Sequence, residues 1–455
     1  MMPDALLQNN NHGRKVLMLA YVFPPFSSDG HSIRVVKFIK YLPALGWLPV
    51  VLTIDDRQEY ETMRKVGSES LLSEIPEQVR IFRTTAGDPS LKYLDKEKEF
   101  SRRNSLTALM VKVFGGVRRW VLRNLALPDS RVAWLPFALR RGRQIVRNEK
   151  IDVIFATCPP HSATLVGAFL KLFTGKPLIL DFRDDWIDTP RFHSRPAIIR
   201  VIERRLESWV IKMADKVILV TEWSKNAFLE RYPKQPNDKF VFISNGVDLA
   251  EFAGSNSKTI ATDESNFMIV HAGSLNDSGA WMRSPATFFQ AASNILHRQP
   301  DLAEKLTLAF TGFLPESLRR RAKEMGLSDV VRELGYLPRD EFVSIMKASK
   351  MLLVINYEGF STLIPGKIYE YWAIGGPPIL LLSCPGAASS FVGKYGLGLT
   401  VDPFDVTGIE QAILTVYRQS KTNKPLRVNS EGIEPFDRKA LAQKLVSVLS
   451  TVSHK

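Results

Sequence analysis

Short uninterrupted apolar runs alternate along the chain with stretches in which apolar residues recur every three or four positions. Residues 16–20 (VLMLA) form one such run and stop at Phe23-Pro24-Pro25, which predicts a strand buried on both faces that ends in a loop. Val35, Phe38, Leu42 and Leu45 then share a helical face that closes at Gly46, and residues 49–53 (PVVLT) resume as a strand. Strand, helix and strand in so short a span make a βαβ unit, and right-handed crossover makes its sheet parallel.

The pattern recurs. Strands are predicted over 153–157, 178–181, 216–220 and 240–243, with helices over 161–173 and around 197–212. Residues 253–265 (AGSNSKTIATDES) are small and polar, the composition of an interdomain linker. Beyond them the rhythm restarts with strands over 267–271, 306–310, 331–334, 351–355 and 378–382. The expected fold class is α/β, with two doubly wound domains whose sheets are parallel. Residues 106–126 differ: apolar residues including Phe114 and Trp120 follow helical spacing beside Lys112, Arg118, Arg119 and Arg123. This is either a basic amphipathic helix for a membrane surface or a core-facing helix with solvated arginines.

A content of 45% hydrophobic and 24% charged residues excludes a disordered, collagen-like or membrane-embedded chain. The net charge of +14 favours polyanionic partners without choosing among nucleic acid, anionic lipid and phosphorylated ligands. Dispersed positive charge without aromatic interleaving argues against nucleic acid. Cys158 and Cys384 are too few for a disulfide framework, so two reduced, buried thiols are expected. No Cys/His spacing resembles a metal site. Residues 1–15 lack an apolar core of signal-peptide length, so a cytoplasmic protein, or one attached to a membrane from the cytoplasmic side, is expected.

Candidate chemistry gathers in loops after strands, where open α/β sheets place their ligands. Gly30 ends the first such loop before a helix, and neither a dinucleotide fingerprint nor a P-loop is present. His161 follows Thr157-Cys-Pro-Pro, either to bond a substrate or to cap a helix. Asp181-Phe-Arg-Asp-Asp-Trp186 brings Arg183 and Asp184, suited to orienting sugar hydroxyls or to an ion-pair network at a domain seam. In the second half, Gly273-Ser274 precedes Arg283-Ser-Pro285, and an arginine beside a helix start suits a diphosphate. Leu334-Gly-Tyr336-Leu-Pro closes another strand. Gly366-Lys367-Ile-Tyr-Glu370 opens a helix whose carboxylate can accept from the hydroxyls of a ribose.

Together YVFPPFSSDGHSIRVVKFIKYLPALGW, LPDSRVAWLP, ATCPPHSATLVG, LILDFRDDW, NGVD, HAGSL, ELGYLP and PGKIYEYWAIGGPP, in this order and spacing, resemble a retaining glycosyltransferase of family four. The resemblance implies the GT-B fold, two facing Rossmann-like domains. It assigns 14–252 to the acceptor and 266–435 to a nucleotide-sugar donor, with 253–265 as linker and a helix in 436–455 packing back toward the first domain. It implies no metal and no cofactor, a UDP-sugar as donor substrate, and a saccharide or lipid-linked acceptor for cell-surface polysaccharide or glycoconjugate synthesis. Gly273, Ser274, Gly366 and Lys367 would bind donor phosphates, Arg283 would neutralise them, and the backbone at Tyr336 would meet the base. Glu370 would hold the ribose, Gly30 would bind the donor and border the acceptor, His161, Arg183 and Asp184 would face the acceptor, and His161, Arg283 and Glu370 would be the catalytic residues. One position departs from the family pattern: eight residues before Glu370, where many members carry a sugar-binding glutamate, stands Thr362, while Glu358 is twelve before. Another nucleotide-sugar enzyme on this fold (an epimerase or a phosphorylase-like enzyme) and a non-catalytic basic scaffold are the alternatives.

Overall fold

The computed structural model describes residues 13–25, 32–55, 71–86, 126–187, 189–252, 266–273, 275, 284–356, 359–422 and 425–453. Outside them lie Gly30, Ser274, Arg283, Glu358, the expected linker 253–265 and all but Ala126 of the expected helix 106–126.

Two parallel sheets carry the fold. The first contains β1 (Arg14–Leu19), β2 (Trp47–Ile54), β3 (Arg80–Thr84), β4 (Val153–Cys158), β5 (Leu178–Phe182), β6 (Lys216–Leu219) and β7 (Phe240–Phe242), in the order β3-β2-β1-β4-β5-β6-β7. Helix α1 (Ile33–Tyr41) covers one face. On the other face α2 (Leu135–Asn148), α3 (Ser162–Thr174), α4 (Ala197–Met213) and α5 (Glu222–Arg231) join the core, which holds Ala138, Leu170, Val210 and Phe228. Every residue of β4 and β5 is buried, which is why these strands read as apolar runs.

The second sheet runs β10 (Val331–Gly335), β9 (Leu306–Thr311), β8 (Phe267–Ala272), β11 (Met351–Ile355), β12 (Ile379–Leu382), β13 (Gly398–Val401). Helices α6 (Ala286–Arg298), α7 (Glu316–Glu324) and α11 (Val406–Ser420) cover one face, and α8 (Arg339–Ala348), α9 (Gly366–Ile374) and α10 (Ala387–Lys394) the other. Strand order reverses between β1 and β4 in the first sheet and between β8 and β11 in the second. Those two switch points fix where each sheet can hold a ligand.

The last helix, α12 (Arg438–Ser453), belongs to the first domain. Leu441, Leu445, Leu449 and Val452 lie in one buried cluster with Val16, Phe38 and Phe155. The chain is pinned where it returns: Val247 pairs with Asp437, the Arg438 N–H donates to the Val247 carbonyl (2.9 Å), and the Val247 N–H donates to the Phe436 carbonyl (3.1 Å). One sequence expectation is corrected here. Cys158 is buried as expected, but Cys384 is exposed, because it stands in the turn beyond β12 rather than in the strand.

Candidate functional site

Gly273, Gly312 and Gly335 stand at the ends of β8, β9 and β10, all with positive φ, and Gly273 borders the switch point of the second sheet. The Gly273 N–H donates to Thr311 (2.6 Å) and the Gly312 N–H to Gly335 (2.7 Å), so the three turns are laced together. The Ala272 N–H donates to the Tyr371 hydroxyl at 3.0 Å, which ties β8 to α9. A Cβ on Gly273, whose φ is 101°, would meet Lys367 Nζ at 1.7 Å, and one on Gly312 would meet the Gly273 carbonyl carbon at 3.0 Å. Only glycine leaves room for an ammonium against this backbone.

Lys367 sits in the first turn of α9, whose N-terminus carries no side-chain cap and no acid. Glu370 follows three residues on, half-buried and on the same helical face. A helix N-terminus, an ammonium and a glycine floor combine into a place for an anion, with a carboxylate one turn away for hydroxyls. The Tyr336 side chain is 48% exposed just beyond β10. Beneath Glu370, Arg438 is buried. Its Nη1 finds no hydrogen-bond partner among the described residues, and burial, helped by Arg34, pulls its guanidinium down to about 10.

In the first domain His161 ends the loop after β4 and precedes α3. Its Nε2 donates to the Asp184 carbonyl at 3.3 Å, and its ring stacks on Trp186 with centroids 5.3 Å apart. Burial outweighs the pull of Asp129 and holds the imidazole down to about 4, so it is neutral near pH 7. The N-terminus of α3 is already occupied: Asp129 accepts from the Ser162 N–H (3.0 Å) and from its hydroxyl (2.8 Å). Arg183 is buried, with Nε donating to the Cys158 carbonyl (3.1 Å) and Nη2 to the Pro159 carbonyl (2.8 Å), so it shapes the loop that carries His161. Asp181 pairs instead with the buried Arg34 (3.0 Å) and accepts from Thr157 (2.8 Å).

The domains touch along one rim of the cleft. Thr362 donates its hydroxyl to Asp185 (2.6 Å), Asp185 also accepts from Ser224 (2.8 Å), and Thr221 donates to the Thr362 carbonyl (2.6 Å). On the far side Glu74, Asp248 and Glu251 converge, but Lys37 bonds all three, and Lys40 bonds Glu74 and Asp248. A lysine therefore holds the one place among the described residues where three acids gather. Sequence reasoning did not single out Gly312, Asp129 or Asp185. The Thr-Gly-Phe-Leu-Pro run that follows an apolar strand was the available signal for Gly312.

Residues 28–251 match Glycosyltransferase Family 4. A D-inositol 3-phosphate glycosyltransferase of Kribbella flavida is 22% identical over 259 residues, 54% of this chain and 59% of that protein. The chain spans about half the length of the relatives it matches in this way. A sucrose-phosphate synthase of Thermosynechococcus elongatus is 17% identical with a TM-score of 0.66, covering 96% of this chain and 98% of its own. A glycosyltransferase of Rickettsia africae superposes with a TM-score of 0.63 at 15% identity, over 97% of this chain and 99% of that one. Two doubly wound domains with parallel sheets, the fold shared with these structures, and a match of residues 28–251, just under half of the chain, make the protein similar to glycosyltransferases of family 4.

Proposed function

We propose that the protein transfers a sugar from a nucleotide-sugar donor, a UDP-sugar first among them, to a hydroxyl of a saccharide or lipid-linked acceptor, with retention and without a metal. The observation that carries this reading is the Lys367 ammonium set against Gly273, with Glu370 one turn along α9. Lys367, the N-terminus of α9 at Gly366 and the loop of Gly273 and Ser274 bind the diphosphate; Arg283 neutralises it. Glu370 accepts from the ribose hydroxyls, and the backbone at Tyr336 meets the base. Gly30 and His161 serve the acceptor, and Arg183 and Asp184 position the loop of His161.

Charge on the diphosphate grows as the glycosidic bond breaks, so fixed cations stabilise the transition state more than the ground state. Asp181, Asp185 and Asp129, three carboxylates at or beside the first domain's loops, are bound to Arg34, to Ser224 and Thr362, and to Ser162. This supports a front-face displacement in which the departing diphosphate takes the acceptor's proton. The named activity of the Kribbella relative makes a polyol phosphate the first soluble acceptor to try. The expected setting is cell-surface polysaccharide or glycoconjugate synthesis at the cytoplasmic face of a membrane, with residues 106–126 as one membrane contact.

The test is titration calorimetry and turnover with a panel of nucleotide sugars, in buffer containing a chelator, for the native chain and Glu370→Ala. Binding by the native chain should weaken in the variant by about 1.5–3 kcal/mol, as for hydrogen bonds to a charged group. Equal binding by both defeats the donor assignment, and turnover that needs added metal defeats the metal-free mechanism.

A further inference from the structure

Helix α4 is built inside out. It buries both of its acids, Glu203 at 3% and Glu207 at 0% exposure, where Arg195 pairs with Oε1 of Glu203, and Arg231 and Tyr232 bond Glu207. It turns Ile198 (66%), Val201 and Ile202 to the outside, with Arg204 and Arg205 exposed among them. The two helices beside it in the same layer continue the pattern. Neither α2 nor α3 contains an acidic residue, and α2 carries Arg140, Arg141, Arg143 and Arg147. Six of the twelve large apolar side chains exposed among the described residues lie on these three helices: Phe137, Leu172, Phe173, Ile198, Val201 and Ile202.

The patch is continuous. A depression of about 460 Å³ between α2 and α3 is lined by Leu139, Arg140, Arg143, Gln144, Arg147 and Phe173. The Arg143 guanidinium lies 5.2 Å over the Phe173 ring, Phe173 stacks on Phe169, and Phe169 meets Trp209 of α4 at 5.0 Å. The acids that flank the layer are engaged: Glu149 with Arg80 and Lys15, Asp215 with Lys171.

We infer that the outer face of α2, α3 and α4 seats the protein on an anionic lipid bilayer. The occupant follows from the chemistry of the face. A second copy would bring the same arginines against one another, with no exposed acid on these helices to meet them. Nucleic acid gains from stacking on aromatic rings, whereas most of the protruding groups here are aliphatic and cannot stack. Aliphatic side chains that insert singly among arginines fit acyl chains beneath negative headgroups. Helix α4 begins beside the cleft rim, since Pro190, just before it, abuts Gly359 of the second domain. The inference deepens the acceptor side of the function proposed above and rests on that reading for the lipid-linked acceptor, though not for the contact itself.

The experiment is flotation of the full chain with vesicles of phosphatidylcholine alone and of phosphatidylcholine and phosphatidylglycerol at equal parts. Three chains are compared: native, the triple variant Arg140→Glu, Arg143→Glu, Arg147→Glu, and the double variant Ile198→Ser, Ile202→Ser. Thermal melting and hydrolysis of nucleotide sugar in vesicle-free buffer verify that each variant is folded. The native chain should float with anionic vesicles only and be released by high salt, and each variant should bind at least about tenfold more weakly. A native chain that stays at the bottom at low salt overturns the inference. So does undiminished flotation of the triple variant, or a native dimer in sedimentation velocity that the double variant abolishes. A native chain without any hydrolysis counts against the donor reading alone, and the flotation result still decides this one.

Discussion

The Thr362 hydroxyl in the second domain donates a hydrogen bond to Asp185 in the first, Oγ1 to Oδ2 at 2.6 Å, and the Thr362 carbonyl accepts one from Thr221. Thr362 is a bolt between the domains. Thr362→Val keeps the shape and removes one donor from buried Asp185. Losing a hydrogen bond to a charged group costs about 1.5–3 kcal/mol, so the separated state should gain roughly tenfold or more in population. Faster amide exchange around Ser224 and a larger radius of gyration are the expected readouts. Unchanged exchange and scattering would mean that the seam is held elsewhere.

Gly273 tests the donor loop without touching a charge. Gly273→Ala forces a Cβ onto the Lys367 ammonium and strains a backbone at φ 101°. Stability should fall by about 1–3 kcal/mol, and nucleotide-sugar affinity should fall as Lys367 is displaced. Gly326→Ala, also at positive φ but with open space around its Cβ, should lose stability and keep affinity. Equal affinity in both variants would separate Lys367 from the donor.

His161 carries a pH prediction. Its folded value, held by burial to about 4, lies below the ordinary 6.5. The fold therefore favours the neutral ring, and the stability it contributes is complete above about pH 6.5. That stability is lost as pH falls from 6.5 toward 4. Melting temperature over this window should drop more steeply in the native chain than in His161→Gln. Parallel curves would show an imidazole that charges freely in the folded state.

Asp248 behaves in the same direction at lower pH. Burial raises its carboxyl, but hydrogen bonds from Lys40, Tyr41 and Lys37 overcome that and hold it at about 2. Its contribution is present above the ordinary carboxylate value near 3.8 and disappears between there and about pH 2. Asp248→Asn leaves Lys37 buried with only part of its partners, which costs about 3–5 kcal/mol as for a broken buried pair. Urea midpoints at pH 7 measure it, and a change below about 1 kcal/mol would mean that Lys37 does not depend on Asp248.

The βα rhythm was legible because parallel strands buried on both faces leave apolar runs such as residues 153–157. Strand β3 was not found, since its residues are half-buried or exposed at the sheet edge and Arg80 and Arg83 interrupt it. Helix α2 was also missed: its four arginines mask the apolar face of Ala138, Ile145 and Val146. The residues of the donor side were named from motifs, but their meeting was not readable. Contact between Gly273 and Lys367 depends on β8 lying beside β11 in the sheet, a pairing set by topology over some ninety residues of chain. Arg183 illustrates the converse. A guanidinium after a strand looks free in sequence, and two carbonyls claim it in the fold.

Because α12 completes the buried face of Val16, Phe38 and Phe155, synthesis order and folding order are reversed for the two domains. The ribosome delivers the last strand of the first sheet at Phe242 but not its covering helix until Ser453. At usual elongation speeds of about 5–20 residues per second, that face waits roughly ten to forty seconds. Every residue of the second sheet emerges during that interval, so the domain encoded second is finished first. A premature stop near residue 437 therefore injures the amino-terminal sheet while leaving the second sheet intact.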